Sequence, residues 1–156
     1  PVGASKRPSS VLVEGPNSLQ ETISEIPTSL NIERYESGRA EAMGALCRIF
    51  CAKKTGEEIL PVYLARFYQA MYRGLKVEES RECGETLASI LVNSVDLFRL
   101  DLDGVEMLTP SVLTALELVL PDKDLKLRSS NVTKIELRRA SIQMLISLLA
   151  LPLHYQ

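Results

Sequence analysis

The strongest constraint on this chain is the interval from Ser37 to Gly74, where two helical patterns are joined by a link of a few residues. Met43, Leu46, Cys47 and Phe50 recur at the i, i+3, i+4, i+7 spacing that gathers side chains on one face of a helix, with Ser37-Gly38 as the opening and Arg39 as the first helical residue. Lys53-Lys54-Thr55-Gly56 supplies cations for a last turn and a glycine beyond it, and Glu57-Glu58 precedes a second pattern with Pro61 in its first turn. Leu60, Leu64, Phe67, Tyr68, Met71 and Leu75 form the apolar side of that second helix. So short a link folds the two helices back on each other, and neither can bury its face alone. The unit is a helical hairpin that needs neighbours.

The helical code returns from Glu79. Cys83, Leu87, Ile90 and Leu91 share a face, Ser80 is the expected N-cap, Gly84 weakens the first turn, and Val92-Asn93-Ser94 breaks the helix, leaving 95–100 as a short separate turn. Asp101, Asp103 and Gly104 imitate a calcium loop superficially, but Val105 and Val112 stand where a third oxygen ligand and a bidentate glutamate are required, so the stretch is a solvated turn. Thr109-Pro110 starts a helix that ends before Pro121, with Val112, Leu113, Leu116, Val119 and Leu120 spread over more than half of its circumference. A polar link over 123–131 leads to Thr133-Lys134-Ile135-Glu136, the spacing of a capping box. The last helix carries Leu137, Ala140, Ile142, Met144, Leu145, Ile146, Leu148 and Leu149, apolar nearly all round, which predicts an inner helix with neighbours on most faces.

Residues 1–36 read differently. Pro1, Pro8, Pro16 and Pro27, among many Ser, Thr, Asn and Gly residues, leave no helical face, and the expectation is a flexible arm ahead of a helical domain over 37–156. Lys6-Arg7-Pro8-Ser9-Ser10 has the form of a basic-directed phosphorylation site at Ser9 or Ser10, against a solvated linker as the plainer reading. The chain opens on Pro1 without a methionine and closes on Leu151-Pro152-Leu153-His154-Tyr155, which reads as a piece of something longer.

Among 156 residues the formal charge is only −2, with both signs interspersed, so no basic field selects nucleic acid or an anionic membrane surface. No apolar run is long enough to span a membrane, and no secretory signal opens the chain. The three cysteines, Cys47, Cys51 and Cys83, sit inside helical patterns without a paired framework, which suits a reducing, cytoplasmic setting.

Two openings repeat. Gly38-Arg39-Ala40-Glu41-Ala42 and Arg138-Arg139-Ala140-Ser141-Ile142 share an arginine-alanine start, followed by Leu46 and Ile49 in one helix and Ile146 and Leu149 in the other. A leucine-rich helix from Thr109 to Pro121, a break at Asp122 and an arginine-led helix from Glu136 to Leu149 resemble the HEAT and armadillo unit, in which small residues let helices approach closely. The fold expected is all-α, with HEAT/armadillo-like hairpin repeats in a short solenoid. From Ser37 onward, Gly38 to Ala42, Leu46-Cys47-Arg48-Ile49-Phe50-Cys51, Lys53 to Pro61, Leu120-Pro121-Asp122 and Glu136-Leu137-Arg138-Arg139 resemble the helical region of Ral GTPase-activating protein subunits, relatives of tuberin. The divergence of several segments from the beta pattern leans the resemblance toward the alpha subunit. In that family GTP hydrolysis is stimulated by a separate C-terminal domain that offers an asparagine to the nucleotide, and nothing here resembles that domain. The resemblance implies a non-catalytic scaffold region whose partners are a sister subunit and Ras-like small GTPases.

No residue qualifies as catalytic, cofactor-binding or metal-ligating. Arg39, Arg48, Arg66, Arg138 and Arg139 all lie in helical patterns rather than on a loop that could carry an arginine finger. His154 is the sole histidine, so no triad forms around it. Cys47 and Cys51 stand at i, i+4, but zinc would need Cys83 and His154 as well, and packing thiols are the simpler account. The competing expectation is a small ligand-binding bundle or enzyme with a pocket lined by Cys51, Tyr63, Tyr68 and Tyr72. For the scaffold, the expected contact faces are Met43 to Phe50 on one side and Met144 to Leu153 on the other, with self-association of a chain that leaves them uncovered.

Overall fold

A computed structural model describes residues 32–52, 56, 58–77 and 80–154, with backbone alone for 32–34 and 152–154. The expected arm lies outside these residues up to position 31, as do its phosphorylation motif and Lys53-Lys54-Thr55. Among the described residues the chain is helical: α1 (Ile32–Phe50), α2 (Pro61–Gly74), α3 (Glu85–Asn93), two 3₁₀ turns at Leu97–Arg99 and Val105–Leu108, α4 (Thr109–Val119) and α5 (Lys134–His154).

The hairpin forms as its pattern requires. The Cys47 thiol donates to Met71 Sδ at 3.5 Å, and the rings of Phe50 and Phe67 stack with centroids 4.2 Å apart and planes 3° from parallel. Position 47 faces 71 while 50 faces 67, so α1 and α2 run antiparallel. Leu64, Phe67, Tyr68, Met71 and Leu75 are buried as expected, whereas Leu60 stands outside the helix and is exposed. The start of α1 differs from its expectation: the helix begins at Ile32 and continues through Ser37-Gly38. Those residues are spent on tertiary contacts rather than on a cap, because the Ser37 hydroxyl donates to Glu85 and the Glu36 carboxylate accepts the Thr86 N–H at 3.1 Å. Five residues of the stretch assigned to an arm, 32–36, are therefore helical.

The nine residues of α3 are the hub. Small side chains let it sit close to its neighbours: Ser89 donates to the Ala40 carbonyl of α1 at 2.7 Å, and a Cβ placed on Gly44 would lie 2.6 Å from Ser89 Oγ. A Cβ on Gly74 of α2 would run into the Cδ1 of fully buried Ile90. On its other side α3 packs on α5. The helix starts later than expected, at Glu85 with Gly84 as N-cap, because Cys83 is drawn into an isolated parallel bridge with Leu127. The Cys83 N–H donates to the Lys126 carbonyl, its own carbonyl accepts the Arg128 N–H, both at 2.9 Å, and the Glu82 carboxylate pairs with Arg128 at 2.7 Å and Lys126 at 3.5 Å. The polar link over 123–131 is thus anchored, with Leu125 buried beneath it.

The break after Asn93 falls where the sequence places it, and Ser94 closes α3 by donating to the Ile90 carbonyl at 2.6 Å. The capping box at α5 also forms: Glu136 accepts the Thr133 N–H at 2.9 Å while the Thr133 hydroxyl accepts the Glu136 N–H at 3.2 Å. Both charge and hydrogen bonding hold α5 at its first turn, since the Thr133 N–H and hydroxyl keep the Glu136 carboxyl below its ordinary range.

Candidate functional site

The capping box fixes which way α5 presents its faces. Leu137, Ala140, Ser141, Met144 and Leu148 are buried and form the side that meets α3 and α4, with Ser141 satisfied by donating to the Leu137 carbonyl at 2.8 Å. Ile135, Ile142, Ile146 and Leu149 lie on the opposite side and are exposed by 72%, 49%, 60% and 70%. At about 100° per residue they fall within an arc of about 60°, and they span about 21 Å along the axis. Unlike apolar residues scattered singly over a surface, these align along one side of the helix, with Arg138 and Arg139 in the turn between Ile135 and Ile142. The expected inner helix is therefore open along one face, because the described elements cover only the side that carries Met144. Beside the stripe, Arg138 donates to the Asp122 carbonyl and Arg139 is exposed.

The second face expected to be open is largely covered. Cys47 is fully buried, and the half-buried Met43, Leu46 and Phe50 pack against the core, so on that stretch Ile49 is the large apolar side chain left exposed. Met71 and Phe67 of α2 cover Cys47 and Phe50, while α3 meets α1 along Ala40, Gly44 and Arg48.

The tyrosines do not converge as a pocket with Cys51 requires. Tyr68 and Tyr72 border a cavity of about 610 Å³ between α2 and the Val105–Leu108 turn, together with Leu64, Gly104, Met107 and Leu108, whereas Tyr63 and Cys51 lie elsewhere. Tyr68 is buried and donates its hydroxyl to the Asp103 carbonyl at 2.8 Å; burial first, then the carboxylates of Glu106 and Asp103, push its phenol up to about 12. That phenol is a strut for the loop, without the lowered pKa that a nucleophile or base would need. The sequence offered no direct signal for this cavity, since its second wall is a turn stabilised by Gly104 in the left-handed region at φ 77.

The thiols are packing groups. Burial pushes Cys47 and Cys83 up to about 12 and Cys51 up to about 11, away from the thiolate that metal binding or redox chemistry uses. Among the described residues no cluster of His, Cys, Asp and Glu is arranged to hold a metal. The arginines stay on helices: Arg39 pairs with Glu36 at 3.7 Å, Arg48 donates to Asn93 Oδ1 at 3.1 Å, and Arg66 is exposed on α2. Among the described residues no helix is long and apolar enough to cross a membrane.

The chain is 52% identical over 123 residues, 79% of its length, to the human Ral GTPase-activating protein subunit beta, and 46% identical over the same share to the rat subunit beta. The chain is homologous to a short segment of Ral GTPase-activating protein beta subunits. The matched region covers 8% of the human relative and 7% of the rat one. A Rap-GAP domain-containing protein of Dictyostelium discoideum is 29% identical over 122 residues, 78% of the chain and 7% of that protein. The resemblance read from Ser37 onward is therefore supported at the level of the family, and its leaning toward the alpha subunit is corrected, since the similarity favours beta. No family model matches the chain, and no solved structure does.

Proposed function

We propose that this chain is a non-catalytic, HEAT/armadillo-like scaffold segment of a Ral-type GTPase-activating protein complex, serving subunit assembly in the cytoplasm. The open stripe of α5 carries the reading, because four large aliphatic side chains in one arc are what a helix presents to another helix across a hairpin stack or a subunit boundary. Homology to beta subunits supports a place in such a complex. The paired polar groups support the same reading, since they cap helices, brace turns or bridge neighbouring elements, as Glu136 does at α5, Tyr68 at Asp103 and Glu82 at Arg128. In this reading the segment contributes no group to GTP hydrolysis, and its partners are a sister subunit or a Ras-like small GTPase.

The test is capture of the sister catalytic subunit by the purified chain, alongside a GTPase assay with Ral. The reading expects capture without stimulation of hydrolysis. Stimulation by the chain alone, or failure to retain the sister subunit at micromolar concentration, would overturn it.

A further inference from the structure

The groove between α2 and the 103–108 segment points to a partner of more specific chemistry. Its floor is apolar, made by Leu64, Leu108 and the ring of Tyr68, all buried, and its walls are Tyr72 and Met107, exposed by 64% and 65%. Along α2 it extends from Pro61 to Tyr72, about three turns or about 17 Å, which is the length of a docked helix segment rather than of a single side chain. Asp103 lines the groove and Glu106, outside the lining, lies next to Met107 in the same turn; both are exposed. Among the described residues neither forms a salt bridge. Their field reaches into the groove, since both act on the Tyr68 phenol.

We propose that this groove receives a basic amphipathic helix of a partner protein, with an apolar side chain on the Leu64–Leu108 floor and a lysine or arginine at Asp103 and Glu106. An acidic or uncharged helix would leave two carboxylates uncompensated beside apolar surface, whereas a cationic side chain lays its aliphatic stem along Tyr72 and Met107 and brings its head to the carboxylates. Tyr72 also offers a ring face to that head. The inference deepens the scaffold reading and rests on it only in that the chain has protein partners; it assigns a second surface, separate from the α5 stripe.

The experiment is an NMR titration of the isotope-labelled 156-residue chain with a synthetic helical peptide of about 18 residues, leucines on one face and lysines elsewhere, and with the same peptide carrying glutamates for lysines. The lysine peptide is expected to shift the amides of Ala65, Gln69, Gly104 and Met107, and the glutamate peptide to leave them in place. Asp103→Asn with Glu106→Gln should weaken binding about threefold to tenfold, in the range of exposed charge pairs. Ala65→Trp, at an exposed position on the groove, should abolish it with the melting temperature kept. Shifts confined to the outer face of α5, equal binding of both peptides, unchanged affinity in either variant, or concentration-dependent shifts of the same amides without peptide, which would mean a second copy in the groove, each overturn the inference. Capture of the sister subunit is scored separately: retained capture with an empty groove removes only this inference, and a filled groove without capture removes only the scaffold reading.

Discussion

The inner and outer faces of α5 belong to one helix and are almost equally apolar in sequence, yet they do opposite things. Met144 is fully buried against the described core, while Ile146, two positions on, is 60% exposed. Hydrophobicity alone therefore does not say which face holds the fold. What separates them is geometry: the capping box at Thr133 and Glu136 fixes the start of the helix, and the contacts of α3 and α4 fix which arc is covered. A similar contrast holds between glycines, for Gly74 abuts Ile90 on α3 whereas Gly38 on α1 faces open space.

The largest expected effect breaks the first comparison directly. Met144→Ala should lower stability by about 2–5 kcal/mol, the range for truncating a fully buried side chain, and Ile146→Ala should change it by less than about 0.5 kcal/mol. Chemical denaturation of the two variants reads the difference, and equal losses would show that the outer stripe is already part of the core. Next comes the glycine pair. Gly74→Ala places a methyl against the Cδ1 end of buried Ile90, which must rotate within the core to make room, and should cost about 1–3 kcal/mol, while Gly38→Ala should stabilise α1 by up to about 1 kcal/mol. Thermal melts that moved the same way in both variants would refute the close approach of α2 and α3.

Smaller effects sharpen the picture at the ends of the helices. Glu136 has its folded pKa lowered by the hydrogen bonds from Thr133, so the carboxylate adds stability that is present above the unfolded value near 4.5 and is lost as pH falls through the folded value. Thr133→Ala keeps the backbone N–H bond and loses only the hydroxyl, so it should reduce that acid dependence in part, and Glu136→Gln should remove it, visible as a smaller difference between melts at pH 3 and pH 6. The smallest effect is chemical: with the thiols raised to about 11 or 12, alkylation at neutral pH should be slow for the folded chain, Cys51 reacting before Cys47 and Cys83 because it is only half-buried. Mass spectrometry of a timed iodoacetamide reaction checks the order.

Much of the helical plan was legible from residue spacing. Pro61 and Gly74 bound α2 as read, Thr109-Pro110 starts α4, and the capping box at Thr133 forms with both of its hydrogen bonds. These features are local, set by proline, glycine and side chains within a single turn. The misses are tertiary. Ser37-Gly38 looked like a helix start, but its serine is used to reach Glu85, and the helix runs through the glycine from Ile32. Ser80 looked like a cap, but the chain there is committed to the Cys83–Leu127 bridge, so capping falls to Gly84. The open stripe was visible as Ile135, Ile142, Ile146 and Leu149, yet spacing could not tell it from the covered face because both repeat with helical period. The groove beside Tyr68 was half legible, in the tyrosines of α2, and its other wall depends on a turn that no periodicity announces.

The central claim is that α5 turns a helix-sized apolar stripe outward to hold another subunit. Paired Ile142→Glu and Ile146→Glu substitutions place charge on that stripe without touching the Met144 side. Measured by quantitative capture of the sister catalytic subunit, the double variant should keep the parent's melting temperature and lose at least tenfold in affinity, the scale of about 1.4 kcal/mol or more. Undiminished capture by a variant that is folded as before would contradict the account.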